Sequence, residues 1–246
     1  MEPATKPYGP FWNVLVILAL SIGLLPLLVS IGCDRLLAIA PPTWPIKQLG
    51  MAIAVSAQEA AFFLLTWGVL RQEGHSLEAV GLRWHYRPWW DVLWGVGLGV
   101  ACFAISSLGE YVSGLLFAVF LDENTIMQML SQENTIAVNL ILSQSRWLQF
   151  YLVSLVVFVV PVAEETFFRG YAYSIIKERW GTVTALFLSS LVFSAVHTYV
   201  IHFLSVFLLG LLLGLAYEWR KTLVTPIVAH GVMNLLVAMT IYYSHL

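Results

Sequence analysis

Seven apolar runs, each about as long as a bilayer crossing requires, fill most of this chain and leave room for little except a bundle of membrane-spanning helices. They are Phe11 to Ile31, Leu49 to Leu70, Trp89 to Leu121, Trp147 to Ala163, Thr182 to Tyr199, Phe203 to Trp219 and Leu223 to Tyr243. A spanning helix needs roughly 17 to 25 predominantly apolar residues, and only a helix or a closed barrel satisfies its own backbone in hydrocarbon. A mean hydropathy of +0.82 and a charged fraction of 11%, against about 25% in soluble domains, point the same way. The expected fold is all-α: a polytopic transmembrane helix bundle forming one membrane domain over residues 1–246, integral and multi-pass. The third run is too long for one upright span and contains Glu110. It is expected to tilt, to continue as an interfacial helix or to break near Gly109, so seven or eight spans both stay open.

A net charge of −2 and the lack of any basic run exclude a nucleic-acid partner; the partners expected are the lipid bilayer and a membrane-associated peptide or protein. Cys33 and Cys102 lie in apolar sequence, too few for a disulfide framework or a cysteine metal site, and are expected to pack. Near the N-terminus, Lys6, an apolar stretch and Ala38-Ile39-Ala40 imitate a signal peptide. Asp34 and Arg35 interrupt the stretch first, so the segment reads as a retained span. With seven spans, Lys6, Arg71, Arg83, Arg87, Lys177, Arg179, Arg220 and Lys221 fall on one side, against Arg35, Lys47 and Arg146 on the other. The positive-inside bias then places the N-terminus in the cytoplasm. Trp84, Trp89, Trp90 and Trp219 beside arginines suit an aromatic belt. The longest polar connection, Asp122 to Arg146, still carries an apolar patch from Ile136 to Leu142.

Ionisable groups within such sequence are costly, by about 2.5 to 3.5 kcal/mol even on lenient insertion scales, and by default they are functional. Glu165 and Arg169 stand at i and i+4 with the acid first, the favourable order for an ion pair on one helix face. Glu164 is turned about 100° away and has Phe168 as its i+4 neighbour, which leaves it free to take a proton from water. Pro161 lies where a wholly apolar stretch meets an amphipathic one, and a kink in a continuing helix is expected there. Gly181 follows Lys177, Glu178 and Arg179 as a helix end. Glu164 is 17 residues before it and His197 16 after it, so in an antiparallel hairpin the two reach nearly the same height, with Phe193 packed one turn before His197.

His230 and Asn234 again share a face and both donate hydrogen bonds. Two convergent donors opposite a base are what the oxyanion of amide hydrolysis requires. Each of these residues alone reads more simply as a solvated or interhelical polar group; their combination is what argues for chemistry. His202, His75, His85 and His245 lack comparable partners in the sequence and are assigned to loops or interfaces. Gln58, Glu59 and Glu110 either line the same cavity or pair with one another. No His-Glu-x-x-His is present, and nothing in the sequence requires a cofactor. A divalent metal such as zinc on Glu164, His197 and His230 stays open, since two His and a carboxylate are a catalytic zinc set.

These residues resemble the CPBP family of intramembrane proteases, which includes the type II CAAX prenyl endopeptidases and bacteriocin-processing or self-immunity proteins. The family pattern, Glu-Glu-x-x-x-Arg, Phe-x-x-x-His and His-x-x-x-Asn, is present in order as Glu164-Glu165-Thr-Phe-Phe-Arg169, Phe193-Ser-Ala-Val-His197 and His230-Gly-Val-Met-Asn234. The resemblance covers about the last 100 residues; the first 145 add only compatible hydropathy. It implies a membrane endopeptidase in which Glu164 and His197 act on water while His230 and Asn234 stabilise the oxyanion, supported by Glu165, Arg169 and Phe193. The family has been described both as metal-dependent and as glutamate-type. The expected function is hydrolysis of a peptide bond in a membrane-associated substrate, prenylated CAAX proteins among the candidates, in a cavity open to the cytoplasmic leaflet. The alternative is a non-catalytic immunity or scaffold protein that binds a peptide or partner in the same cavity.

Overall fold

The computed structural model describes residues 8–37, 46–84, 87–142 and 145–245. Those residues form eight helices. α1 comprises Trp12–Leu18, a π-helical Ala19–Leu24 and Leu25–Leu37; α2 is Ile46–Glu73, α3 Pro88–Phe117 and α4 Glu123–Ile141. α5 starts at Arg146 and runs to residue 180, α6 covers 182–196, α7 is Phe203–Arg220 and α8 is Val224–Ser244. Large apolar side chains such as Leu108, Phe150 and Val183 face outward, as hydrocarbon-facing positions do.

Six helical stretches are long and apolar enough to cross a membrane: Trp12–Cys33, Gln48–Glu73, Pro88–Phe117, Arg146–Val196, Phe203–Arg220 and Val224–Ser244. The fourth, at 51 residues, would extend roughly 75 Å as one rod, more than twice the hydrocarbon thickness. It is instead a hairpin. At Gly181 the backbone takes φ 82° and ψ 171°, a region open almost only to glycine. α6 then returns along α5, so that the rings of Phe168 and Phe193 meet edge to face at 5.0 Å. The stretch therefore holds both the fourth and the fifth apolar runs.

The other long run does not divide. α3 is one continuous helix through Gly109, where a Cβ would come within 3.1 Å of Ser205 Cα on α7; the glycine permits close packing and breaks nothing. The expectation of a break there is corrected accordingly. Gly95 and Gly99, one turn apart on α3, admit Val228 and Val232 of α8 in the same way, a small-x-x-x-small contact of the kind that packs membrane helices.

The segment after Asp122 is also more ordered than a polar connection. Asp122 caps α4, accepting hydrogen bonds from the Thr125 backbone N–H at 3.0 Å and its hydroxyl at 2.7 Å, a standard N-terminal signal. Cys33 and Cys102 are free thiols, both buried.

Five of the cations grouped by sequence on one side are tied down by local contacts. Arg179 donates to the Gly9 carbonyl and Arg220 to Asp91, Lys177 and Lys221 both pair with Glu218, and Thr222 donates to the Arg83 carbonyl. Lys6 and Ala38-Ile39-Ala40 lie outside the described residues, as do His85 and the side chains of Asp34 and Lys47. Trp84, Trp89, Trp90 and Trp219 are exposed.

Candidate active site

The helix that presents the two glutamates is irregular on both sides of them. Leu155–Val159 and Thr166–Ala172 are π-helical, and Val160–Glu165 between them is α-helical. In the first π segment the Val160 N–H bonds back to the Leu155 carbonyl. The next donor in that register would be residue 161, which is proline and has no N–H. The Val156 carbonyl is thereby freed, and Asn234 of α8 donates to it from Nδ2 at 2.9 Å. The helix thus continues past Pro161 as expected, with a widened turn before it. Asn234→Ala would strand that carbonyl in the bundle interior. An unsatisfied buried acceptor costs roughly 1 to 3 kcal/mol, and we expect a matching drop in thermal stability in detergent, with Asn234→Gln rescuing little because its amide sits one methylene further out.

Glu165 and Arg169 form the expected ion pair, at 2.7 Å and with 0% and 1% of their side chains exposed. The guanidinium also donates to the Gly210 carbonyl of α7 at 3.2 Å and lies over the Phe193 ring, 4.3 Å from its centroid. A second partner reaches Glu165 Oε1: His230 donates from Nδ1 at 2.9 Å. Glu165 therefore ties α5 to α8 while Arg169 ties it to α6 and α7. Neither side chain borders the cavity described next.

That cavity, of about 900 Å³, is lined by residues of all eight helices and is bordered by Glu164, Phe193, His197, His230 and Asn234. All four residues assigned a chemical role by sequence thus meet at one space. Glu164 is buried and its Oε2 has no hydrogen-bond partner among the described residues; His230 Nε2 lies 3.9 Å from it. His197 lies at the C-terminal end of α6 with its Nδ1 2.7 Å from the Phe193 carbonyl. A carbonyl only accepts, so Nδ1 carries the proton and Nε2 keeps a lone pair for water. By the same logic His230 Nδ1–H is committed to Glu165, and Nε2 donates only when the ring is an imidazolium.

The donor set was also tested for a metal. Among the described residues no three His, Cys, Asp or Glu side chains come together closely enough to hold an ion, so Glu164, His197 and His230 border one cavity without forming a ligand cluster.

Glu59, Gln58 and Glu110 border the same cavity, which resolves where those membrane-embedded polar groups face. His202 departs from its assignment: it sits in a loop, but with strong partners. Glu133 of α4 accepts from the backbone N–H groups of Val200 (2.7 Å), Ile201 (2.9 Å) and His202 (3.0 Å), and from His202 Nδ1 at 2.6 Å. His202 Nε2 is 3.6 Å from Glu110. This clasp closes α4 over the cavity beside His197, and no spacing in the sequence announces it because its halves are 69 residues apart.

Burial works against the charged form of His202, but the Glu110 and Glu133 carboxylates outweigh it and hold the imidazole above its ordinary value. For Glu133 burial pushes upward and loses to the N–H donors of Ile201, His202 and Val200 and the His202 ring, leaving the carboxyl below its usual 4.5. A raised histidine contributes fully below its unfolded pKa of about 6.5 and loses its contribution as pH climbs through the raised folded value. A depressed carboxylate contributes above its unfolded value and loses this as pH falls through the lowered one. The clasp is therefore strongest between about pH 4.5 and 6.5. We expect Glu133→Gln to lower stability by about 2 kcal/mol there, as loss of charge-assisted hydrogen bonds does. The gap from wild type should narrow in melts above neutral pH.

No curated protein and no solved structure gives a significant match to the chain. Residues 146–236 match the family model described as type II CAAX prenyl endopeptidase Rce1-like. The matched segment contains α5 to α7 and most of α8, and with them every residue of the three motifs. Over residues 146–236 the chain is thus similar to the Rce1-like type II CAAX prenyl endopeptidases.

Proposed function

We propose that this protein is an intramembrane endopeptidase that cleaves a peptide bond of a membrane-associated substrate, prenylated CAAX sequences among them, by general-base activation of water. The observation that carries this reading is the buried Glu164 carboxylate, its Oε2 without a hydrogen bond among the described residues, facing a cavity shared with His197, His230 and Asn234. A water between Glu164 and His197 Nε2 would give its proton to Glu164 as its oxygen attacks the scissile carbonyl. The oxyanion would be met by His230 Nε2–H, with the imidazolium stabilised by Glu165, and by the Asn234 N–H that Val156 leaves free. Glu164 then returns the proton to the departing amine as the C–N bond breaks. Water rather than a Ser or Cys side chain is the nucleophile in this reading, so no acyl-enzyme forms.

The N-terminus and the cations grouped with it by sequence would face the cytoplasm. The test is cleavage of prenylated and otherwise lipid-anchored peptides by purified protein in liposomes, with products identified by mass. Defined cleavage by wild type, insensitive to serine- and cysteine-directed reagents, is the expected result. Binding without product would favour the immunity or scaffold alternative.

A further inference from the structure

The cavity holds more carboxyl groups than the proposed hydrolysis uses. Glu59 of α2 borders it, only 2% exposed, and its Oε2 has no hydrogen-bond partner among the described residues. Its Oε1 receives only a long 3.4 Å contact from Gln58. Glu110 and Glu164 also border the cavity. Among the described residues no Lys or Arg lines this space; the remaining ionisable groups are His197, His202, His230 and His245, with Tyr199. His202 is already held between Glu110 and Glu133, and His230 by Glu165. Glu165 lies behind the wall, neutralised by Arg169.

A buried carboxyl lacking both a cation and donors stays ionised at low cost only when a ligand brings a cation to it. The wall beside Glu59 is apolar, formed by Val55 and Phe62, which suits a methylene stem ending in a charged head. We propose that Glu59 is the anionic end of a substrate subsite that takes a Lys or Arg side chain flanking the scissile bond. This deepens the protease reading and rests on it for its kinetic test, though the subsite can also be read by binding alone.

The experiment uses one lipid-anchored peptide in liposomes, with Lys, norleucine or Glu walked through the positions flanking the cleaved bond, and the full-length protein as wild type and Glu59→Gln. For wild type, at one position kcat/KM for Lys is expected to exceed that for norleucine by tenfold or more, with Glu below both. In Glu59→Gln the Lys-to-norleucine ratio should fall to about one, while Glu59→Asp, which keeps the charge on a shorter stem, should retain part of it. Absence of a Lys preference in wild type, or its persistence in Glu59→Gln, overturns the proposal. If wild type cleaves none of the peptides, the protease reading fails and fluorescent versions decide the subsite. Tighter binding of the Lys peptide by tenfold supports it; equal binding of Lys and norleucine overturns it.

Discussion

Glu164→Gln is expected to reduce peptide cleavage by about a thousandfold or more while leaving the protein as stable as wild type, or slightly more stable. General acid–base catalysis typically contributes ~100 to 10,000-fold, and here the same carboxylate both accepts and returns the proton, which places the loss toward the upper end. Stability should hold because Oε2 of Glu164 makes no hydrogen bond among the described residues. Exchanging such a buried carboxylate for a neutral amide of equal size removes a desolvation cost. The paired readout, turnover against thermal midpoint in detergent, separates this from a folding defect. Activity retained in Glu164→Gln would remove the general base from the proposed reaction.

The opposite pairing is expected at Arg169. Arg169→Met leaves Glu165 charged and buried, takes the donor from the Gly210 carbonyl and removes the cation from the Phe193 face. Breaking one side of a buried ion pair costs roughly 3 to 5 kcal/mol, a large share of the 5 to 15 kcal/mol that holds a typical domain. Arg169→Lys should recover only part of this, since an ammonium cannot reach Glu165 and Gly210 with the fixed fork of a guanidinium. The double variant with Glu165→Gln should be less unstable than the sum of the two single ones. Simple additivity in that cycle would mean that the pair is not coupled. Turnover should fall too, because His230 Nδ1 depends on Glu165 for its orientation.

The residues that could be read in advance share a short-range geometry. Helical spacing was enough to pair Glu165 with Arg169 and to set Glu164 apart, because both follow from a 3.6-residue turn. The hairpin at Gly181 was legible from one glycine after a charged helix end. Less visible was the π turn before Pro161, where the proline denies Val156 its donor and a side chain 78 residues later supplies one. The clasp of Glu133 on the Val200–His202 loop was hidden for the same reason. α4 looked like a polar connection because its amphipathic face turns toward a cavity made by other helices. Likewise Glu59 was visible as a costly residue, but its neighbour across the bundle was set by the packing of α2 on α5.

The reversal at Gly181 also makes this protein unusually sensitive to changes in length. Helix resumes directly on either side of that residue, so an added residue in either arm has no slack to enter. One insertion between Glu164 and His197 would turn the imidazole by about 100° and lift it by about 1.5 Å, carrying it off the wall that Glu164 faces. Two full turns, seven residues, would restore the direction but leave the ring roughly 10 Å out of step. The bilayer tolerates spans of varied length by tilting them; the meeting of Glu164 with His197 does not. Deletion and insertion scanning across residues 165–196 should therefore find near-uniform loss of turnover, even where the altered chain still inserts and folds.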